Sequence, residues 1–336
     1  MLYISSEKNL SNLLRVTRDE LWDMLEHADD YYDELKLHDP AKPDKPRDIV
    51  CVTGKLRRLQ IRFYRDVLLA RLPISPYSHG GIRGRSARTN AAVHLHSHFI
   101  FKTDISSFFP SIRQWQIYRL FVDRFGCTPP VAALCTRLCT YDNCLQLGLI
   151  TSPILADQFV RPIDKRIGIL CERCRLKYSR YVDDITISGK YDIKRSGIPR
   201  VIAKILLQNG LRANPEKNEF GRVRDGIAVT GIRRNRRGKI DVEQEYADEI
   251  ARVLDDVKSL SDGKPFDKSR PYFTRDQIRG RIQFVKTVNI GRGQRLLNRF
   301  HEIKWELVAA AAHEQALIVS KKQITQRNEK PAPIRA

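Results

Sequence analysis

The sequence has no uninterrupted apolar run of the roughly 18 residues that a membrane-spanning helix requires. Charged side chains occur early, at Glu7, Lys8 and Arg15, which does not fit the apolar core of a secretory signal. We therefore expect a protein that is not embedded in a membrane and that works in the cytoplasm.

Acidic residues are scarce relative to basic ones. The chain of 336 residues has 39 Asp and Glu against 60 Lys and Arg, which gives a formal net charge of +21. A surplus of that size exceeds what solubility requires and indicates a polyanionic partner, most simply a nucleic acid. A basic protein bound to a membrane surface is the alternative that composition leaves open.

Cysteine is too sparse and too scattered for a disulfide framework. The chain has seven cysteines, an odd number, which is typical of reduced thiols. Cys171 and Cys174 form one C-x-x-C pair, but neither Cys135 nor Cys139 supplies a second pair of this kind. A zinc site and a redox motif are therefore minor alternatives.

Hydrophobic periodicity and turn residues predict an α+β fold with an antiparallel sheet in the middle of the chain. A strand ends at Asp104, and a hairpin covers residues 176–189. Short strands are expected within residues 220–242, and residues 36–48 are expected to be a loop or extended. Helices are expected over residues 10–37 (with a capping box at Thr17 and Glu20), 55–72, 196–210, 243–260 and 274–320.

Three carboxylates stand out against this background. Asp104 ends an apolar strand, while Asp183 and Asp184 lie near the turn of the hairpin. Strands of one sheet could bring them together, and three uncompensated carboxylates in one place would repel one another without a cation. Mg²⁺ prefers such oxygen ligands, and two ions can serve phosphoryl transfer. The alternative is an ordinary solvent-facing turn, in which adjacent aspartates are common.

The wider sequence around these residues resembles the palm of reverse transcriptases, over roughly residues 45–235. The resemblance is carried by YVDD (181–184), FKTDISSFFPSI (101–112) and GLITSPILAD (148–157). Two further motifs are similar to those of retron reverse transcriptases, N-A-x-x-H from Asn90 to His94 and V-T-G from Val229 to Gly231. HGGIRGRS (79–86) looks like a third.

The resemblance implies a right-hand polymerase fold with fingers, an antiparallel-sheet palm and a helical thumb. It places an N-terminal helical extension at residues 1–44 and the fingers and palm at 45–235. A helical, RNA-binding thumb would cover 236–320, and a flexible tail 321–336. Within the thumb, five arginines are candidates for RNA contacts: Arg279, Arg281, Arg292, Arg295 and Arg299.

Catalytic roles also follow from the resemblance. Asp104, Asp183 and Asp184 would hold two Mg²⁺ ions, with Mn²⁺ as a substitute. The carbonyl of Ile105 would help to hold the metal of the nucleotide. Lys217 matches the lysine that protonates pyrophosphate, and a solvated turn lysine is the alternative.

Nucleotide-binding roles are implied for a second group of residues. Phe109 matches the steric gate that excludes ribonucleotides, and Tyr181 would lie under the primer end. Gly148 to Pro153 would shape the nucleotide-binding turn, while Lys45 and Arg47 are candidates for binding the triphosphate. The turn departs from the family pattern, because Leu147 stands where a glutamine is usual.

The function implied is that of an RNA-directed DNA polymerase, a nucleotidyltransferase, that reverse-transcribes its cognate retron non-coding RNA. Priming from a guanosine 2′-hydroxyl would give branched RNA–DNA, called msDNA. Partners would be the structured RNA template and primer, the DNA product, deoxynucleoside triphosphates and an effector protein in anti-phage defence. The chain leaves no room for an RNase H domain beyond the thumb, so a host RNase H would remove the template.

Two alternatives to a retron enzyme remain at this point. One is a bacterial defence reverse transcriptase that works without a retron RNA. The other is an RNA-binding scaffold whose polymerase is inactive, which the intact set of three aspartates argues against.

Overall fold

The structure is a computed structural model that describes residues 2–39, 42–235, 238–264 and 273–308. The side chains of residues 38, 39 and 42–45 lie outside that description. Contacts between residues divide the chain into two compact units, Met1–Ile240 and Asp241–Ala336. None of the described helices is long and apolar enough to cross a membrane.

The chain begins with two short helices and a two-stranded ribbon. These elements are α1 (Glu7–Leu14), α2 (Arg18–Glu26), β1 (Tyr32–Asp39) and β2 (Lys42–Val52). The ribbon is antiparallel and starts by pairing Tyr32 with Val52. Its described residues supply the extended structure expected within residues 36–48.

The single helix predicted over residues 10–37 is wrong. Arg15 adopts a left-handed conformation with φ of 56° and ends α1. Thr17 then forms the predicted capping box with Glu20, and a cap of this kind begins a new helix rather than continuing an old one. The strand β1 replaces the last predicted turns, since its backbone pairs with β2.

Most of the remaining first unit is helical. The basic amphipathic segment folds as α3 (Gly54–Arg62), a π-helical stretch (Phe63–Leu68) and α4 (Leu69–Arg71), close to the predicted limits. Its apolar face is buried at Leu56, Leu59 and Phe63. The other α-helices of this unit are α5 (Ala87–His94), α6 (Phe108–Ser111), α7 (Gln114–Arg119, followed by a π-helical stretch at Leu120–Arg124), α8 (Pro129–Cys139), α9 (Ser152–Arg173) and α10 (Ile198–Leu207).

A four-stranded antiparallel sheet lies at the centre of the first unit. Its strands are β3 (Phe99–Asp104), β4 (Lys177–Tyr181), β5 (Asp184–Gly189) and β6 (Glu219–Arg222), in the spatial order β4-β5-β3-β6. Phe101, Ile185 and Ile187 are buried from this sheet into the main hydrophobic core. The predicted strand and hairpin are both confirmed.

Short strands and helices make up the rest of the described chain. They are β7 (Ile232–Arg234), β8 (Ile240–Val242), α11 (Gln244–Ser261), α12 (Arg275–Val288) and α13 (Ile290–His301). Within the second unit, Ile250, Leu254, Ile278 and Ile282 are buried. The helix predicted over 274–320 is interrupted at Asn289, which caps α13 through its side chain, and residues 309–320 lie outside the described residues.

Candidate active site

Two neighbouring strands of the sheet position the three aspartates. Asp104 is the last residue of β3, and its Cα pairs with that of Asp184, the first residue of β5. The backbone N–H of Ile105 donates to the carbonyl of Asp183 at 3.1 Å, which joins the end of β3 to the hairpin turn. Antiparallel register therefore brings together residues about eighty positions apart in the chain.

The three carboxylates converge closely enough to share a cation. One oxygen from each of Asp104, Asp183 and Asp184 lies within 4.8 Å of the others. Asp104 is buried, and its Oδ1 has no hydrogen-bond partner among the described residues. A buried carboxylate oxygen without a partner is costly, and a divalent cation would satisfy it. The donor set fits Mg²⁺ or Mn²⁺, which prefer carboxylate oxygens.

Electrostatics at this cluster also favour a cation. Burial, followed by the charges of Asp184 and Asp104, raises the pKa of Asp183 from 3.8 to about 6. Burial and the charge of Asp104 raise the pKa of Asp184. Lys217 bonds to Asp104 through its ammonium group, and this hydrogen bond raises the pKa of Lys217. One lysine offsets only part of three negative charges.

The turn that carries Asp183 is under backbone strain. Val182 adopts φ of 59°, a left-handed conformation that is a genuine outlier for a β-branched residue. Such a conformation costs on the order of 1–3 kcal/mol and persists only where its surroundings impose it. Gly80 packs directly against it, since a Cβ at position 80 would lie 2.6 Å from the backbone nitrogen of Val182.

Comparison with known proteins gives this geometry its family. The profile of the family described as reverse transcriptase (RNA-dependent DNA polymerase) matches residues 38–234, more than half of the chain. The chain belongs to the reverse transcriptase family. The α+β right-hand polymerase fold expected from the resemblance is therefore confirmed, while the limits predicted for its subdomains stay predictions.

The curated relatives are retron reverse transcriptases. That of retron Mx65 from Myxococcus xanthus is 27% identical over 264 residues, which cover 73% of this chain and 59% of the relative. That of retron Mx162 from the same organism is 25% identical, with coverages of 81% and 61%. That of retron Ec86 from Escherichia coli is 25% identical, with 88% of each chain covered. The chain thus spans about three fifths of the two Myxococcus relatives.

The N-A-x-x-H motif lies on α5, next to the hairpin that carries YVDD. Asn90 and His94 are both fully buried on α5. The His94 ring contacts the hydroxyls of Ser188 at 2.8 Å and Ser179 at 2.6 Å, one on each strand of the hairpin. Ser179 in turn donates to Asn90 at 2.5 Å. Burial lowers the pKa of His94 to about 3, so the ring is neutral and bridges the strands.

The V-T-G motif contacts the same helix. The Thr230 hydroxyl donates to the carbonyl of Ala87, the first residue of α5, at 3.1 Å. Thr230 and Gly231 both have positive φ, and Val229 exchanges two backbone hydrogen bonds with Ile232. The two motifs singled out in the sequence therefore meet at α5, although they lie about 140 residues apart.

The structure describes the side chains of three other predicted site residues, Phe109, Tyr181 and Arg47, but not that of Lys45. Phe109 is half-buried beside Phe108, which is buried in the core. Tyr181 is half-buried and pairs with Asp184. Arg47 is exposed, and its positive charge opposes the rise that burial and Asp104 cause in the pKa of Asp184. Lys45 lies in β2, but its side chain is outside the described residues.

The predicted nucleotide-binding turn packs against β2. Gly148 has φ of 104°, and a Cβ there would lie 2.6 Å from the carbonyl oxygen of Val50. The N–H of Val50 donates to the carbonyl of Leu147 at 2.8 Å. Leu147 is half-buried, while Gln146 contacts the carbonyl of Tyr141 and the sulfur of Cys144. The unusual leucine thus contributes backbone to the turn.

Sequence reasoning missed three charged residues beside the site. Arg180, next to YVDD, is 1% exposed and pairs with Asp157 and Asp164 of α9. Both aspartates are buried, and their spacing of seven residues places them on one face of the helix. An acidic pair on an otherwise apolar helix face was the available signal.

Among the described residues, Cys171 and Cys174 have no third metal-ligand residue gathered with them.

Proposed function

We propose that this chain is an RNA-directed DNA polymerase that copies the structured non-coding RNA of a retron. The observation that carries the proposal is the convergence of Asp104, Asp183 and Asp184 in a reverse transcriptase fold. The relatives named as retron enzymes support the retron assignment. Fingers and palm at residues 45–235 and an RNA-binding thumb at 236–320 are part of the proposal.

The residues divide the chemistry of phosphoryl transfer among them. Asp104, Asp183 and Asp184 would hold two Mg²⁺ ions, which when bound activate the attacking hydroxyl and offset charge on the leaving pyrophosphate. Lys217, which bonds to Asp104, would give its ammonium proton to the leaving group. The carbonyl of Ile105 would complete the metal site. Most of the catalysis is positioning and charge stabilisation.

Nucleotide selection falls to residues around this cluster. The half-buried ring of Phe109 would pack against the sugar and exclude a 2′-hydroxyl. Tyr181 would support the primer end, and the turn at Gly148 would support the nucleotide. Arg47, whose charge acts on Asp184, and Lys45 would bind the triphosphate.

RNA binding would depend on the candidate arginines of the second unit. Three of its five candidate arginines already pair with acidic residues of the same unit: Arg281 with Glu249, Arg292 with Asp241, and Arg299 with Asp255. Arg279 and Arg295 are exposed. These two are the better candidates for phosphate contacts, since neither forms an ion pair with a residue that the structure describes.

The finer proposal concerns the product and its use. Synthesis would begin at a guanosine 2′-hydroxyl and give msDNA, with template removal by a host RNase H. An effector protein would act with the complex in anti-phage defence, in the cytoplasm. N-A-x-x-H and V-T-G support the retron assignment over a defence reverse transcriptase that lacks a retron RNA.

Primer extension on an RNA template tests the proposed activity. We expect Mg²⁺-dependent incorporation of deoxynucleotides by the wild-type protein. Asp183→Asn should lower the rate on the order of a thousandfold or more, because a lost metal ligand raises the barrier by several kcal/mol. RNA binding, measured by filter retention, should survive. Equal synthesis by the variant would remove Asp183 from the catalytic role, and no synthesis by either protein would favour an inactive scaffold.

A further inference from the structure

Arg180 donates four hydrogen bonds next to the candidate active site, three of them buried. Its Nε and one terminal nitrogen donate to the two oxygens of Asp164 at 3.0 and 2.9 Å. The same terminal nitrogen donates to Asp157 at 2.9 Å. The other terminal nitrogen donates to the carbonyl of Val182 at 2.7 Å. The last bond is unlike the others, because it reaches the strained turn that carries Asp183.

The acidic partners of Arg180 are themselves anchored. Asp164 accepts the hydroxyls of Tyr178 and Ser75, each at 2.7 Å, and is fully buried. Burial alone would lower the pKa of Arg180, but Asp164 and then Asp157 keep it above its usual value. The guanidinium is therefore permanently charged and fixed in orientation by α9. Because the guanidinium is planar and rigid, fixing it against Asp157 and Asp164 also fixes the direction of its bond to the Val182 carbonyl.

The turn is held from its other side by the HGGIRGRS segment. The N–H of His79 donates to the carbonyl of Arg180 at 2.7 Å, and Gly80 contacts Val182 too closely to allow a side chain. Val182 keeps its left-handed conformation between these two contacts. The carboxylates of Asp183 and Asp184 follow directly in the chain, so their positions depend on this conformation.

We propose that Arg180 is a positioning residue that fixes the Val182 carbonyl and so arranges Asp183 and Asp184 for divalent metal binding. The proposal rests on the proposed function, since it assigns metal binding to these carboxylates. Arg180 has no role of its own in the chemistry. An ion pair that served only to stabilise the core would have no need of the bond to the turn.

Mn²⁺ binding to the protein alone, followed by electron paramagnetic resonance, tests the proposal without any assay of synthesis. Arg180→Lys keeps the positive charge but cannot donate to Asp157, Asp164 and Val182 together. We expect its Mn²⁺ dissociation constant to rise about 10- to 100-fold, as for other residues that orient metal ligands. Circular dichroism verifies that the variant is folded.

Tyr178→Phe is the matched control. It removes a hydrogen bond to the same Asp164 from the same strand, but it does not touch the turn. Its Mn²⁺ affinity should stay within about twofold of the wild type, even if its melting temperature falls as far as that of Arg180→Lys. A similar loss of affinity in both variants would show general destabilisation and overturn the proposal.

Asp164→Asn is the second variant. If Arg180→Lys does not fold, Asp164→Asn alone tests whether Arg180 positions Asp183 and Asp184. It preserves the shape of the carboxyl group but breaks the fork, so Mn²⁺ affinity should fall about tenfold. Affinity within about twofold of the wild type in either folded variant contradicts the positioning role. A wild-type protein that binds no Mn²⁺ refutes the proposed function instead. Failure of the proposed function and failure of the positioning role are therefore distinguishable.

Discussion

Neutralising Asp183 should stabilise the metal-free protein, although we expect the same change to lower the rate of synthesis about a thousandfold or more. The pKa of Asp183 rises from 3.8 to about 6 on folding, first through burial and then through Asp184 and Asp104. Because the folded-state pKa is the higher one, the stabilisation from protonation is fully present below pH 3.8 and is lost as the pH rises through 6. Near neutral pH the folded protein therefore carries the cost of an ionised, partly buried carboxylate.

The size of this cost follows from the pKa difference. About two pH units correspond to roughly 3 kcal/mol, at about 1.4 kcal/mol per unit. Solvent screening and the coupling of Asp183 to its neighbours reduce this to about 1–2 kcal/mol. Asp183→Asn removes the charge with little change of shape, so the free energy of unfolding in EDTA should rise by about that amount near pH 8.

Urea unfolding followed by circular dichroism measures the effect. In EDTA the variant should be the more stable protein near pH 8, and the difference should close near pH 4, where wild-type Asp183 is protonated. Asp225→Asn, at an exposed carboxylate of the same unit, is the control and should show little change. Added Mg²⁺ should stabilise the wild type more than the variant. A variant less stable than wild type in EDTA near pH 8 would refute the reasoning.

Three further predictions concern individual positions. Burial holds the pKa of His94 at about 3, below its unfolded value of 6.5, so the stability that its neutral ring contributes is lost as the pH falls below 6.5. In urea titrations, the difference in the free energy of unfolding between wild type and His94→Gln should therefore narrow between about pH 7 and 5. A difference that stays constant contradicts a neutral buried ring. Gly148→Ala should lower the melting temperature more than Gly84→Ala. Both glycines have positive φ, but only at position 148 would the added Cβ lie 2.6 Å from a carbonyl oxygen, that of Val50. Equal losses would show that the positive φ accounts for the whole effect and that the close contact adds nothing. Phe109→Ala should admit ribonucleotides in primer extension, and unchanged sugar discrimination would exclude Phe109 as the gate.

The convergence of the three aspartates could be predicted because the strand and the hairpin follow local patterns and the resemblance to reverse transcriptases implied that they meet. A strand that ends in Asp104 and a hairpin that begins its second strand at Asp184 can pair in one antiparallel sheet. Register then fixes which side chains meet. The structure shows that pairing directly.

The buried network could not be predicted in the same way. Arg180 lies beside a recognised motif, yet its partners are 16 and 23 residues away on α9. A sequence does not show whether an arginine of a basic protein points into the core, since most arginines remain solvated. The spacing of Asp157 and Asp164 is that of one helix face, but it does not show that both carboxylates bind the same guanidinium.

The N-terminal prediction failed for a related reason. Apolar residues at helical spacing continue past Glu26, but Tyr32 and the residues after it pair with β2 instead. Leu35 and Leu37 are each 51% exposed, so the apolar residues of this segment do not form a buried helix face. Tertiary pairing outweighed local periodicity, as it often does for short amphipathic segments.

The most direct test of the central claim is sequencing of the nucleic acid that copurifies with the protein from cells that express it. The wild type should yield one defined RNA covalently joined to a DNA copied from it, and Asp183→Asn should yield the same RNA without the DNA. RNA and DNA recovered equally with both proteins would contradict the account, because the three carboxylates would then not be responsible for synthesis.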